Sequence, residues 1–268
     1  MPEGPECKHY SECLNKIMQE RHLTAINFVA GRYQRSSPSG FTSVKFPLLV
    51  KSVKVWGKFL FFETGQLNKV DNYYIWNTLG MSGQWSLQQN SDTRAIITID
   101  NSDKVFYNDR RNFGTFHFHK TYSETAKKID GLGYDLLNQT VVDFGVNPGF
   151  VIFEKKKNQE KTLAEILMSQ TDYAGIGNYL KAEILYHAKL SPHRLGKSLT
   201  VDEIIQLDKS IIEVMIESYK GKTKSFNHYE STFPKLIYQK NKCPLGHFIK
   251  DEETKDGRTS WWCAECQK

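Results

Sequence analysis

Pro2 follows Met1, precedes Glu3 and is separated by Gly4-Pro5 from Glu6. A small residue after the initiator permits its removal, and Pro2 would then carry a secondary amine with a pKa near ~8 when unperturbed. The start of a helix lowers such an amine further, because the helix dipole disfavours an added positive charge there. A neutral secondary amine attacks an electrophilic carbon, such as a sugar C1′, and forms an iminium. Glu3 beside it offers a carboxyl group for proton transfer, provided burial raises its pKa. Read alone, MPEGPE is a helix cap before it is a nucleophile.

Near the other end, Cys243-x3-His247 is followed after 15 residues by Cys263-x2-Cys266. Three thiolates and an imidazole suit a closed tetrahedral site for one structural zinc ion, and two close ligand pairs across a hairpin-length insert are what a β-ribbon finger needs. Four protein ligands leave no position for a catalytic water. Between the pairs, GRTSWW places Arg258 five residues before Cys263. A hairpin held by zinc presents such an arginine rigidly at its tip, suited to a phosphate.

The segment AGIGNYLKAEIL sets Gly175 and Gly177 before a helix. Their freedom to turn, the N–H groups at the helix start and the Asn178 amide together could grip a phosphate. Helical patterns on both sides give the arrangement of a helix-turn-helix-like DNA clamp. In isolation, a plain turn between two helices is the better account of the glycines, and the helices on both sides raise the clamp reading.

These residues must be positioned by the rest of the chain. Cys7, Tyr10, Cys13, Leu14, Ile17 and Met18 recur at helical spacing, so the chain opens almost directly into a helix. From about residue 22 to 120, runs such as LLVKSVKVWGKFLFFE and NYYIWNTLGMSGQW are β-branched and aromatic, broken by Gly, Ser, Asn and Asp. They predict a β-sandwich or barrel packed with that helix. Residues 121–160, with Gly131, Gly133, Gly145, Pro148, Gly149 and the run EKKKNQEK, read as a less regular connection. LAEILMSQ, NYLKAEILYHA and VDEIIQLDKSIIEVMIESYK are helical, the last capped by Thr200 or Asp202. The expected fold class is α+β, with a β-sandwich domain over 1–120, a connection over 121–160, a helical domain over 161–235 and a zinc finger over 236–268.

The 268 residues carry a formal charge of +6, divided evenly: residues 1–150 hold 17 Lys/Arg against 14 Asp/Glu, and residues 151–268 hold 19 against 16. A polyanionic partner is favoured mildly, through a surface assembled by folding and not through a basic tail. Five cysteines, three crowded in the last 26 residues, do not make a disulfide scaffold, and Cys7 and Cys13 read as buried thiols. No apolar run approaches the roughly 20 residues that cross a bilayer, and the start lacks the basic flank and apolar stretch of a signal peptide. The expectation is an intracellular protein, nuclear or cytoplasmic, of cellular or viral origin.

Taken in order, PEGPE, VWGKFLFFE, LGMSGQW, DRRNFG, AGIGNYL and GRTSWWCAECQ resemble the formamidopyrimidine-DNA glycosylase and endonuclease VIII family of base-excision repair enzymes, over nearly the whole chain. The resemblance implies that Pro2 is the N-terminal nucleophile, Glu3 its proton-transfer carboxylate and Glu6 a second acid near the damaged sugar. It implies that the 1–120 domain is catalytic and the 161–235 domain a helix-two-turns-helix, and it assigns phosphate contacts to Lys58, Asn178 and Arg258, Lys58 standing with the catalytic residues as well. It gives Met81, Arg111 and Phe113 the wedge that fills the void left by an extruded nucleotide and contacts the orphan base. The partner implied is damaged DNA, single- or double-stranded, bound by a monomer, with β- and δ-elimination after base loss.

Two departures refine this. The Cys-x3-His pair in place of the four-cysteine finger looks like the Nei-like branch of eukaryotes and some large viruses, particularly its second type. KGKTKSFNHYESTFPK is shorter than the capping loop of members that recognise 8-oxoguanine efficiently, which favours oxidised pyrimidines and hydantoins. Thr78 stands where bacterial formamidopyrimidine enzymes commonly carry histidine. A DNA-binding protein without catalysis would not require Pro2 and Glu3, and a zinc-finger RNA-binding module leaves PEGPE and DRRNFG unexplained.

Overall fold

The computed structural model describes residues 1–66, 72–138, 147–221 and 232–268. They form two compact units: Met1–Pro2 with Glu6–Gly131, and Glu3–Pro5 with Leu132–Gly221 and Thr232–Lys268.

In the first unit, α1 (Gly4–Met18) turns Cys7, Tyr10, Leu14 and Met18 into the core, the three- and four-residue spacing of one helical face. Polar bonds fix that face on the sheet. Ser11 Oγ donates to Val53 O at 2.8 Å, and Val53 N donates to Asn15 Oδ1 at 2.7 Å. The strands are β1 (His22–Phe28), β2 (Leu48–Trp56), β3 (Phe59–Gln66), β4 (Asn72–Thr78), β5 (Gly83–Ser86), β6 (Thr93–Ile99), β7 (Asp103–Asp109) and β8 (Thr115–His119), with a single helical turn α2 (Arg32–Arg35) after β1. They make one antiparallel sheet in the order β5-β7-β6-β1-β2-β3-β4-β8.

Burial alternates residue by residue along β4 and β6, as expected for strands with one face on a core. The two ends of the sheet meet. Trp85 of β5 and Tyr107 of β7 pack edge-on against Phe116 of β8, and Trp85 Nε1 donates to Asn77 Oδ1 of β4 at 3.0 Å. The expected sandwich is thus one sheet folded on itself.

Among its described residues, the stretch expected to be irregular carries three helices: α3 (Tyr122–Asp130), α4 (Pro148–Glu154) and α5 (Lys156–Gln159). Asn147 caps α4 by accepting from Gly149 N, with Pro148 in the first turn where its missing N–H costs nothing. Gly145 lies outside the described residues.

The second unit continues with α6 (Leu163–Met168), α7 (Asn178–His187) and α8 (Val201–Lys220). Capping boxes start α6 at Thr162–Glu165 and α8 at Thr200–Glu203, so Thr200 and not Asp202 is the cap. Asn178 to Leu185 of α7 are all buried, making it the central helix of a core with Leu167, Ile176, Leu207, Ile211 and Met215. Two antiparallel strands, β9 (Lys250–Thr254) and β10 (Arg258–Trp262), end the chain's regular structure. No helix among the described residues is long and apolar enough to cross a membrane.

Candidate active site

Glu3 is 1% exposed, and its carboxylate sits on the N-terminus of α7. Gly177 N and Leu180 N donate to Oε2 at 2.8 and 3.2 Å, and Tyr179 N donates to Oε1 at 3.1 Å. A negative charge at this end of a helix meets both its unpaired N–H groups and its dipole. Gly4 N reinforces the seat by donating to Gly175 O at 2.8 Å, Gly175 having a φ of 97°. The expectation that these helix-start N–H groups grip a phosphate is corrected: the chain's own carboxylate occupies them.

Pro2 is half-buried and one peptide bond from this anchored carboxylate, behind an exposed Met1. Glu6 is buried in the first turn of α1, in the unit that also holds Pro2. Burial pushes the neighbouring Tyr10 phenol up, with the charge of Glu6 adding to it.

Lys58 occupies the second position of the two-residue turn between β2 and β3, where Trp56 pairs with Phe59. Gly57, with φ of 57°, supplies the left-handed first position that a tight hairpin of this kind requires. This sets Lys58 at a hairpin tip.

The residues expected to form the wedge sit on two loops of the same unit. Met81 (38% exposed) follows β4, and Arg111 and Phe113 (49% exposed) lie between β7 and β8. The Arg111 guanidinium lies 4.9 Å from the centre of the Phe113 ring. The buried Asp109 joins the loops: Ser82 Oγ donates to Oδ1 at 2.5 Å, Gly114 N donates to Oδ2 at 2.7 Å, and Arg111 N donates back to Ser82 Oγ at 2.9 Å. Gly80, at φ of 60°, brings its loop against the Phe113 backbone. Asp109 and Ser82 went unassigned in the sequence, although both stand inside the quoted motifs. Thr78 shares a 2.6 Å hydrogen bond with Thr115 across β4 and β8.

In the second unit, Asn178 Nδ2 donates to Thr259 O at 2.9 Å, while its buried Oδ1 has no partner among the described residues. Burial raises the pKa of the Tyr238 phenol, the charge of Glu3 adding to this and a hydrogen bond with the Asn178 side chain opposing it. Arg258 is exposed and begins β10, directly after Gly257 at the hairpin tip.

Cys243, His247, Cys263 and Cys266 bring their ligand atoms within 4.8 Å of one another. A tetrahedral ion with ~2.3 Å bonds to sulfur and ~2.05 Å to nitrogen requires edges of about 3.8 Å between sulfurs and about 3.6 Å from sulfur to nitrogen. Cys243 and Cys266 sulfurs are 3.9 Å apart, and His247 Nδ1 is 3.6, 3.3 and 3.8 Å from Cys243, Cys266 and Cys263. The contacts are edges of a coordination tetrahedron more than hydrogen bonds, and the four residues fit a metal ion. Gly246, at φ of 86°, closes the first knuckle, where Gly246 N donates to Cys243 O.

Comparison with known proteins bears directly on this arrangement. The profile of the formamidopyrimidine-DNA glycosylase N-terminal domain matches residues 1–116, and that of the formamidopyrimidine-DNA glycosylase H2TH domain matches residues 146–228. The chain belongs to the formamidopyrimidine-DNA glycosylase family. It is a DNA glycosylase of base-excision repair, from a family whose members also have AP lyase activity.

The formamidopyrimidine-DNA glycosylase of Ureaplasma parvum is 26% identical with all of each chain covered, and that of Mycoplasmopsis pulmonis is 28% identical, covering 100% of this glycosylase and 98% of its own length. In fold, the glycosylase is similar to wild-type Lactococcus lactis Fpg (MutM) in complex with DNA containing an oxidised pyrimidine, with a TM-score of 0.84, 22% identity and full coverage of both chains. MutM (Fpg) of Thermus thermophilus gives a TM-score of 0.82 at 24% identity, covering 99% of this chain and 98% of that one.

Proposed function

We propose that this glycosylase is bifunctional, with the amine of Pro2, freed by removal of Met1, as its nucleophile. The observation that carries the reading is the fixation of Glu3, the residue that follows Pro2 in the sequence: its carboxylate is held by three backbone N–H groups and so is preorganised for proton transfer. The nitrogen attacks C1′ and the N-glycosidic bond breaks, its electron pair leaving with the base. The nitrogen gives up its proton, and its lone pair then opens the C1′–O4′ bond as O4′ is protonated, which leaves a covalent iminium on the ring-opened sugar. Loss of a proton from C2′ then allows β-elimination at the 3′ side and δ-elimination at the 5′ side, and hydrolysis regenerates Pro2. Glu3 carries protons in these steps, and Glu6 lies near the damaged sugar.

A base inside a duplex is beyond reach until its nucleotide rotates out, at a cost of a few kcal/mol. Met81, Arg111 and Phe113 fill the void, while Lys58, Asn178 and Arg258 hold phosphates of the damaged strand. The exposure of Met81 and Phe113, which a core role would not permit, supports this. Cys243, His247, Cys263 and Cys266 would hold one structural zinc ion, which fastens the two knuckles of the hairpin when bound. The finger's ligand set and the short 220–235 segment favour the Nei-like branch and substrates such as oxidised pyrimidines and hydantoins. Residues 222–231 of that segment lie outside the described residues.

Borohydride trapping tests the reading. Duplexes carrying an abasic site or an oxidised pyrimidine should yield a covalent adduct with processed protein, and none when Pro2 is replaced or Met1 is retained. An undiminished adduct in both cases moves the nucleophile elsewhere.

A further inference from the structure

Lys181 is a lysine whose side chain is fully buried, and its Nζ lies 2.6 Å from Oδ2 of Asp256, itself 4% exposed. It stands three residues after Asn178, so both side chains leave α7 on one face. Both reach the β9–β10 hairpin. Asn178 Nδ2 holds Thr259 O, and Lys181 holds Asp256, which lies in the three-residue loop between Thr254 and Arg258. The second oxygen of Asp256 accepts from Thr254 Oγ1 at 2.5 Å, and Gly257, with φ of 71°, turns the chain into β10. Arg258 is thus flanked by the two ties.

A buried ion pair is a poor device for stability alone, since apolar side chains of similar size would join helix and hairpin at no desolvation cost. Its geometry is directional, however. It fixes the position of the loop along α7, and it places a negative charge between two positive ones. Burial pushes the Lys181 ammonium down and Asp256 opposes this, while Arg258 lies near enough to push it further and Glu3 near enough to resist. Within this unit, charges alternate through Glu3, Lys181, Asp256 and Arg258.

We propose that Lys181 and Asp256 are positioning residues that hold Arg258 where it meets a DNA phosphate. This rests on the reading of Arg258 as a phosphate contact. The pair would act on binding through Arg258 and not through phosphate itself, because neither side chain is exposed.

The test uses the full-length, zinc-loaded protein and a duplex with a tetrahydrofuran abasic-site analogue. Affinity is measured against salt concentration for wild type, Arg258→Gln, the double variant Lys181→Met/Asp256→Asn and the triple combination. The double variant leaves no unpaired buried charge, and Asp256→Asn alone serves if the double variant does not fold. Arg258→Gln should weaken binding about tenfold and lower the slope of log affinity against log salt by about 1, as loss of one phosphate contact requires. The pair variant should match it in slope and affinity and add nothing in the triple. A pair variant with lowered melting temperature but wild-type slope overturns the proposal, as does an additive triple. If Arg258→Gln itself binds as wild type, the phosphate reading of Arg258 falls, and the proposal with it.

Discussion

The carboxyl carbon of Glu3 lies 2.3 Å from the point where a side chain on Gly177 would begin. Gly177 has a φ of −130°, which any residue adopts, so glycine is required by the carboxylate and not by the backbone. Gly177→Ala should therefore displace Glu3 while leaving the turn intact. Loss of charged hydrogen bonds at a helix start predicts destabilisation of about 1–3 kcal/mol. Base excision should fall by about 100-fold or more, the scale for removal of a preorganised electrostatic partner. Single-turnover excision beside urea denaturation checks both, and an active Gly177→Ala enzyme would show that the position of Glu3 is immaterial.

Asp109 holds the Met81 and Phe113 loops together through Ser82 and Gly114. Asp109→Ala should free both loops while the sheet pairing of β7 persists. Cleavage of a duplex lesion is expected to drop by about 10- to 100-fold, whereas a single-stranded abasic site, which needs no extrusion, should be processed nearly as before. The ratio of the two rates is the measurement. An equal loss on both substrates assigns Asp109 to the fold alone.

Much of this was legible in the residues. The spacing of Cys7, Tyr10, Leu14 and Met18 marked the first helix, and β-branched and aromatic runs broken by Gly, Ser, Asn and Asp marked the sheet. Short-range ligand spacing marked the metal cluster, because Cys-x3-His and Cys-x2-Cys are each local turns. What escaped depended on partners far apart in sequence. Glu3 meets Gly177 across 174 residues, and Lys181 meets Asp256 across 75, so neither motif named its partner. The helix start at Asn178 was read as an anion site for sound local reasons, and the anion turned out to be part of the chain. In the 121–160 stretch, glycines and charges concealed short helices whose stability comes from caps and burial, as with Ile152 and Phe153 of α4.

Removal of zinc should loosen the hairpin that carries Arg258 while sparing α7 and α8, whose core residues include Leu180, Ile184 and Ile211. Native mass spectrometry is expected to show one ion per chain. Chelation, or Cys263→Ser at a fully buried ligand, should reduce affinity for abasic-site DNA by about tenfold or more with little change in helical circular dichroism. Unchanged binding by zinc-free protein would remove the finger from the DNA interface.

Asp208 of α8 gives a pH signature within the second unit. Burial raises its carboxyl to about 6, against hydrogen bonds from Tyr173 Oη at 2.6 Å and Gly149 N at 2.7 Å, which lower it. The unfolded value is near 3.8, so the native state binds the proton more tightly between the two. Its contribution to stability is greatest below pH ~4, declines as pH rises to about 6 and is flat above. Asp208→Asn cannot ionise and should escape the decline. The stability of the variant relative to wild type should therefore rise by about 3 kcal/mol across that window, the equivalent of roughly two pH units. Urea denaturation of both proteins from pH ~4 to ~7 measures the difference. Parallel curves would mean that Asp208 is ionised throughout, held by Tyr173 and Gly149 more strongly than burial opposes it.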